Sequence, residues 1–438
     1  MIENKIITKT REIKLNKEKA KRIIKADICV VGAGISGIAA VLEAAKLGKN
    51  VIVIDSQNQL GGQTYNSNIG TFCGFYSNRN DEVNSYQLTH IQADEMFKEL
   101  NEMGGLYEGM GSHTIVPMYN ETIFLRWVEK KFLENQINFL LGSSVFKVNK
   151  EGRRLQSITA ASRYETIEII ADGYIDASGD AVLAWLAEVP CNISEHGNIY
   201  GTQMFILEGI DYSVPTPSEK EMVKRLSEKG DKYGLKRKRG LMFYTLQRRD
   251  TAYGNMTHVL TPLDTIGASK ITITGKDQVD HVVEFLKSEF PENFKNSRVR
   301  SYGHTGIRQT RWLKSRKQIS LEDVRSAVKY EDAIGRTAWP VELHDNSDGY
   351  VWEVFPVDHV HYIPLGSQLS PELDNYAAAG RCIDGDVAAL SSIRVMGPCM
   401  ATGVSAAHAL DMAGKGSVHD IDIKKLQERL SDNLTGMD

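Results

Sequence analysis

The sequence predicts an α/β fold, a parallel sheet flanked by helices, with an α+β unit inserted into it. Three observations predict it. A short apolar run at 28–31 leads straight into Gly32, Gly34 and Gly37. A second apolar run, at 51–54, ends in Asp55. Residues 206–364 then alternate short β-type runs with amphipathic helical ones, before an apolar strand and an Ala-rich helix return beyond 365.

The totals bound the answer. A length of 438 residues suggests two or three domains. Apolar and charged fractions of 42% and 25% are those of a globular chain. A formal charge of −4 argues against a nucleic-acid-binding surface. No apolar run approaches the ~20 residues that span a bilayer. The basic N-terminal stretch has no apolar signal-peptide core, so a cytoplasmic location is expected. The five cysteines, Cys29, Cys73, Cys191, Cys382 and Cys399, are far apart and form no Cys-x-x-Cys. Neither a disulfide framework nor a structural zinc site is expected.

The first unit, residues 26–62, reads strand, turn, helix, strand. Ile28 to Val31 suit a buried parallel strand. Gly32 permits the tight turn, Gly34 lets a pyrophosphate approach the backbone, and Gly37 lets helix and strand pack closely. Ile35 and Ser36 open the helix, whose free N–H groups point at the phosphate. Gly48 is placed to stop it. Asp55, followed by Ser56, lies 18 residues past Gly37 and is suited to a ribose diol. A carboxylate there disfavours the extra phosphate of NADP. Together these residues predict a Rossmann-like dinucleotide site.

Two further segments narrow the dinucleotide. One is Gly61, Gly62, Gln63 and Thr64. The other is 375–410, with Ala379-Gly380-Arg381 running to Asp384, and Ser392, Arg394, Val395, Met396, Cys399, Met400, Ala401 and Gly403. Between them lie "YIDASGDA" (174–181) with Ala177, Ser178 and Gly179, "GIRQTRW" (306–312) and "FLLGSSVFKV" (139–148). This set resembles the FAD-dependent oxidoreductases with a glutathione-reductase-like FAD fold, distantly akin to the fumarate reductase and succinate dehydrogenase flavoproteins. The resemblance implies FAD as cofactor. It implies that Gly61 to Thr64 line its flavin side and that Val145 meets adenine through its backbone. It also implies that backbone groups near Met400 and Ala401, on a helix beginning near Pro398, face the flavin. Gln309 stands where the group has Glu, which puts an acid/base duty there in doubt. The implied organisation is an FAD domain over 26–205 and 365–438, with a mainly helical excursion at 84–140, and a substrate or cap domain over 206–364.

The candidate chemistry lies in the second half. Arg308 and Arg394 suit an anionic substrate or the flavin, since arginine forks bind carboxylates at two points; a structural ion pair is the other reading. His359, His361 and Tyr362 suit a base that takes a substrate proton; two histidines two apart on a strand share a face. They read equally as satisfied core groups, and no third ligand nearby supports a metal. His304 and His344 are weaker candidates. Cys73 has no partner for redox disulfide chemistry and reads as packing or substrate contact. The basic clusters "KYGLKRKRG" and "QRRD" read as solvated. The expected activity is hydride transfer between a small organic substrate and FAD. No second G-x-G-x-x-G supports a built-in NAD(P)H domain, so a separate electron acceptor or donor is expected. The alternatives are a non-redox FAD enzyme, of hydratase or tRNA-modifying type, and a flavin-binding sensor module.

Overall fold

Strand β1 (Lys21–Val31), helix α1 (Ile35–Lys46) and strand β2 (Val51–Ile54) open the chain as a parallel unit, with Cys29 opposite Ile52 and Val31 opposite Ile54. This computed structural model describes residues 10–12, 14, 21–107, 109, 111, 113–195, 199–239, 242–246 and 251–435. Most of the basic N-terminal stretch, and the basic cluster at 247–250, lie outside the described residues.

The excursion that follows carries α2 (Gln92–Glu102) and α3 (Glu121–Glu134). An aromatic cluster joins it to the core: Phe72 stacks on Tyr119 at 4.1 Å, and Phe97 and Phe124 meet Phe72 edge-on. The chain then returns to the sheet as β3 (Asn138–Leu140), β4 (Ser144–Glu151), β5 (Arg154–Ala161) and β6 (Thr166–Asp176). Strands β4, β5 and β6 form an antiparallel meander, while β6 runs parallel to β1.

A second sheet follows. It contains β7 (Tyr200–Glu208), β8 (Met242–Leu246), β9 (Thr251–Asn255), β10 (Val259–Leu260) and, after helix α4 (Thr265–Glu289), β11 (Arg298–Gly306). All its pairings are antiparallel. Phe205, Leu207, Val279, Phe285 and Leu286 make its own core.

The chain closes with β12 (Tyr376–Ala378), parallel to β6, and helix α5 (Met396–Ala413). The parallel order is thus β3-β2-β1-β6-β12. Helices α1 and α5 approach backbone to backbone, since a Cβ on Gly403 would lie 2.1 Å from the Ser36 carbonyl oxygen. The order reverses beside β1, so the crevice beyond its carboxyl end is where such a sheet binds a ligand.

The expected boundaries need correction. A break at 205/206 falls inside β7, whose hydrogen bonds place all of Tyr200–Glu208 in the second sheet. Residues beyond β11 return to the main core: Arg311–Leu313 pairs with Cys191–Ile193, and Ala333–Thr337 with His361–Pro364. The texture of a run reveals a strand but not which sheet it joins. Among the described residues no single helix is long and apolar enough to cross a membrane. The bent pair Val387–Ile393 and Met396–Ala413 passes that test jointly, but is mostly buried in the core.

Candidate active site

A cavity of about 1540 Å³ runs from the carboxyl end of β1 to the second sheet. That exceeds the roughly 300–1,000 Å³ of a pocket for one small ligand. Its outer end is backbone. Gly32 has φ +102° and a Cβ there would lie 2.3 Å from the Ala177 carbonyl oxygen, so only glycine fits. A Cβ on Gly34 would meet nothing nearer than the Gly62 Cα, at 4.0 Å. The α1 N-terminus carries no side-chain cap and no acidic residue in its first turn, which leaves its N–H groups and positive end for an anion. Asp55 accepts the Ala33 N–H at 2.6 Å and the Gln57 N–H at 2.7 Å. A carboxylate has about four lone-pair sites, so acceptor capacity remains for hydroxyls. Burial pushes its carboxyl up, against the pull of those two N–H groups.

The inner end is side chains. Arg308, Arg381 and Arg394 line it together with Glu342, Trp339 and the first turn of α5. Arg308 donates to the Tyr200 carbonyl at 2.8 Å and to the Thr202 hydroxyl at 2.9 Å. Arg381 donates to the Ile307 carbonyl at 2.7 Å. Burial, with Arg308 nearby, lowers the Arg394 guanidinium to about 10, and its Nε is buried with no hydrogen-bond partner in the structure. Desolvation raises the half-buried Glu342 carboxyl, yet His344, Arg308 and Arg394 hold it down to about 2. Its Oε2 accepts Trp339 Nε1–H at 3.1 Å, and Oε1 meets His344 Nε2 at 2.9 Å. Two arginines, Arg308 and Arg394, therefore lie beside one carboxylate, while Arg381 pairs with Asp180 at 3.8 Å.

The profile of the family described as FAD dependent oxidoreductase matches residues 27–430. The chain belongs to the FAD-dependent oxidoreductase family. No curated protein matches it. Among solved structures it is similar to a geranylgeranyl bacteriochlorophyll reductase-like protein from Thermoplasma acidophilum: 12% identity, 94% of this chain and 86% of that one covered, TM-score 0.48. It is also similar to a p-nitrophenol 4-monooxygenase from Pseudomonas putida DLL-E4, at 10% identity, 94% and 85% coverage and TM-score 0.49. A flavin-dependent brominase gives 12%, 94% and 85%, and 0.48. The cofactor of this FAD-dependent oxidoreductase is FAD, and the glycine cradle at Gly32, Gly34 and Gly62 is a shape that a dinucleotide fits.

Of the residues singled out for that cofactor, Gly32, Gly34, Ile35, Ser36, Asp55, Ser56, Gly62, Gln63, Thr64, Ala177, Ser178 and Gly179 line the cavity. The others do not. Gly37 sits behind the turn, where a Cβ would lie 1.9 Å from the Gly32 carbonyl oxygen. Gly61 holds φ +100° and donates to Ala33 O, shaping the wall from behind. Gly380 lets Ser36 approach, since a Cβ would lie 2.6 Å from its hydroxyl. Val145 pairs with Ala160 in the meander, two residues past Ser143, whose N–H donates to the carbonyl of the cavity-lining Asp55 at 3.0 Å. Asp384 is a structural clamp: it accepts from Asn192, Ser315 and Gln318. Met400 and Ala401 are buried one turn too far along α5, and Val395, Met396 and Cys399 face the cavity instead. The Gln63 amide is taken up by Ile307, accepting its N–H at 2.7 Å and donating to its carbonyl at 3.0 Å.

Arg308 and Arg394 reach the inner end, whereas His359, His361 and Tyr362 do not line it. The two histidines do share a face, 3.2 Å apart, but His361 Nε2 meets the Ser392 hydroxyl at 2.9 Å inside the core. Burial drops His361 to about 3. Tyr362 pairs opposite Arg336. Gln309 donates to the Val387 carbonyl outside the cavity. His304 lines the cavity. Cys73 and Cys399 also line it, but burial pushes both thiols up to about 12. No metal-holding group occurs among the described residues. The residue missed was Glu342. Its signal was present: Glu342, on the strand Val341–Leu343, and His344, just past its end, are two apart, the same spacing read at 359 and 361.

Proposed function

We propose that this FAD-dependent oxidoreductase moves a hydride between FAD and a small organic substrate that carries a carboxylate or similar anion. One observation carries the reading: Arg308 and Arg394 lie beside a single carboxylate, Glu342, at the inner end of the cavity, while Arg381 is shared with Asp180 at 3.8 Å. Half-buried guanidinium groups in excess of the carboxylate beside them call for an anionic partner, and their planar forks suit a carboxylate. FAD, when bound, supplies the hydride-accepting or hydride-donating chemistry. Gly32, Gly34, Ile35 and Ser36 would hold its pyrophosphate, Asp55 and Ser56 its ribose, and Gly62 and Thr64 its flavin side. The α5 N-terminus would favour negative charge beside Val395 and Met396. The antiparallel second sheet would close the cavity over the substrate and exclude water.

This reading includes a glutathione-reductase-type FAD domain with an inserted cap. The parallel order β3-β2-β1-β6-β12, with the meander β4-β5-β6, supports it. Electrons would enter or leave through a separate acceptor or donor. A cytoplasmic location fits five free cysteines, none of them exposed. The test is anaerobic. Small hydroxy, amino and unsaturated carboxylates are screened for bleaching of the yellow protein or, after photoreduction, for return of the colour. Change with a carboxylate, and none with its amide, is expected. Equal rates with the amide would remove the anion-binding role.

A further inference from the structure

Four groups stand in single file behind the cavity wall. Glu342 Oε1 lies 2.9 Å from His344 Nε2. His344 Nδ1 lies 2.9 Å from His258 Nε2. His258 Nδ1 lies 3.3 Å from the Ser347 carbonyl oxygen, under the loop bearing the exposed Asp345 and Asp348. Period-two geometry puts Glu342 and His344 on one face of the strand Val341–Leu343 and its continuation. His258 arrives from the second sheet, between β9 and β10. Both rings are buried and held flat by neighbours: Tyr350 stacks on His344 at 4.5 Å and Tyr200 on His258 at 5.4 Å.

The chain has an odd proton count. A carboxylate at one end and a carbonyl at the other only accept, so three links need three protons. Two neutral imidazoles supply two. Arg308 and Arg394 keep Glu342 ionised, while burial, Arg237 and Arg308 keep both histidines neutral. The carboxylate then takes His344 Nε2–H, and His344 Nδ1 takes His258 Nε2–H. His258 Nδ1 faces the Ser347 carbonyl with no proton between them, and this is the longest link, 3.3 Å against 2.9 Å. One added proton repairs it. With Glu342 protonated, its O–H donates to His344 Nε2, His344 Nδ1–H to His258 Nε2, and His258 Nδ1–H to Ser347.

We propose that Glu342 takes up and returns the substrate's proton, and that its two protonation states select opposite tautomers of His344 and His258, each ring releasing its Nε2 proton to solvent and taking one at Nδ1 from solvent, so that the rings' proton count is unchanged. This rests on the reading of the inner end as the place of reaction. In oxidation the substrate's O–H or N–H bond breaks. Its electron pair becomes the new C=O or C=N bond as the carbon gives up its hydride, and the proton bonds to Glu342. In reduction each change reverses. Proton uptake neutralises the one carboxylate facing Arg308 and Arg394, and reversal of the two tautomers fills the chain's missing hydrogen bond.

The decisive variant is Glu342→Gln. Trp339 Nε1–H only donates, so it holds the amide oxygen and turns the amide N–H toward His344, as the protonated acid would. FAD-loaded protein labelled with ¹⁵N-histidine is compared at pH 7 by imidazole nitrogen NMR. Signals are assigned with His258→Gln and His344→Gln. Both rings are expected as Nε2–H in the wild type and both as Nδ1–H in Glu342→Gln. A variant in which His258 keeps the wild-type tautomer overturns the proposal. If Glu342→Gln does not fold, the wild type alone decides: an imidazolium or an Nδ1–H form at either ring overturns it. With a substrate that bleaches the wild type, Glu342→Gln is expected to slow bleaching about 100-fold. His258→Gln is expected to slow it about tenfold with half-saturation unchanged, and unchanged bleaching in both variants is a second refutation. Failure of every substrate to change the wild-type flavin would instead count against the proposed function, and the tautomer result would stand apart from it.

Discussion

The two ends of the cavity are built from different material. The outer end is mainly backbone from the stretch 32–62, a turn, a helix N-terminus and glycines at fixed spacing, with Ala177 to Gly179 packed against it. The inner end is side chains from separated segments, with Arg308, Glu342, His344, Arg394 and His258 brought together only by folding. The contrast recurs in two local patterns of the same kind. Glu342/His344 and His359/His361 are each two residues apart, with one member on a short strand and the other just outside it, and each pair is in hydrogen-bond contact. One faces the cavity and the other faces Ser392 in the core. A pattern on a strand fixes which side chains meet, and the packing of the strand decides what they meet.

Breaking the outer end has the largest expected effect. In Gly32→Val the side chain has no space against Ala177, and the left-handed turn is lost. The flavin-to-protein ratio after purification should fall at least about tenfold, and a normal ratio would deny that the cradle depends on backbone approach. The inner end should behave differently. Arg394→Met should leave the flavin ratio near that of the wild type while weakening a carboxylate substrate about 100-fold, from the loss of one charged fork. Half-saturation in the bleaching assay measures it, and Arg394→Lys should recover only part.

The pH dependence of stability separates the two histidine patterns from the rest of the fold. Burial lowers His361 and His344 to about 3, below the ordinary value near 6.5. The unfolded chain therefore binds more protons between those values. The stability this represents is complete above pH ~6.5 and is lost as pH falls toward 3. Each such histidine should contribute a loss of about 2 kcal/mol at pH 5. Denaturant midpoints at pH 7 and pH 5 test this, and His361→Gln should show the shallower change. The smallest effect belongs to Cys73→Ala. Its raised thiol, without a partner cysteine, should be replaceable with flavin content and bleaching within about twofold. A larger loss would move Cys73 into the chemistry of the inner end.

The sequence alone determined the dinucleotide turn, because Gly32, Gly34, Gly37 and Asp55 act through backbone geometry that spacing encodes. It also singled out Arg308 and Arg394, which the fold brings to the inner end of the cavity. It placed Met400 and Ala401 at the cavity one turn too late, because a helix start near Pro398 hid the turn that begins at Met396. It set Asp384 at the cofactor, although that carboxylate closes a loop contact instead. Only tertiary structure decided that strand 341–343 turns its Glu342 toward the cavity while strand 361–364 turns His361 away. The reason is physical. Period two gives each strand two equivalent faces, and which face meets the cavity depends on partners distant in the chain.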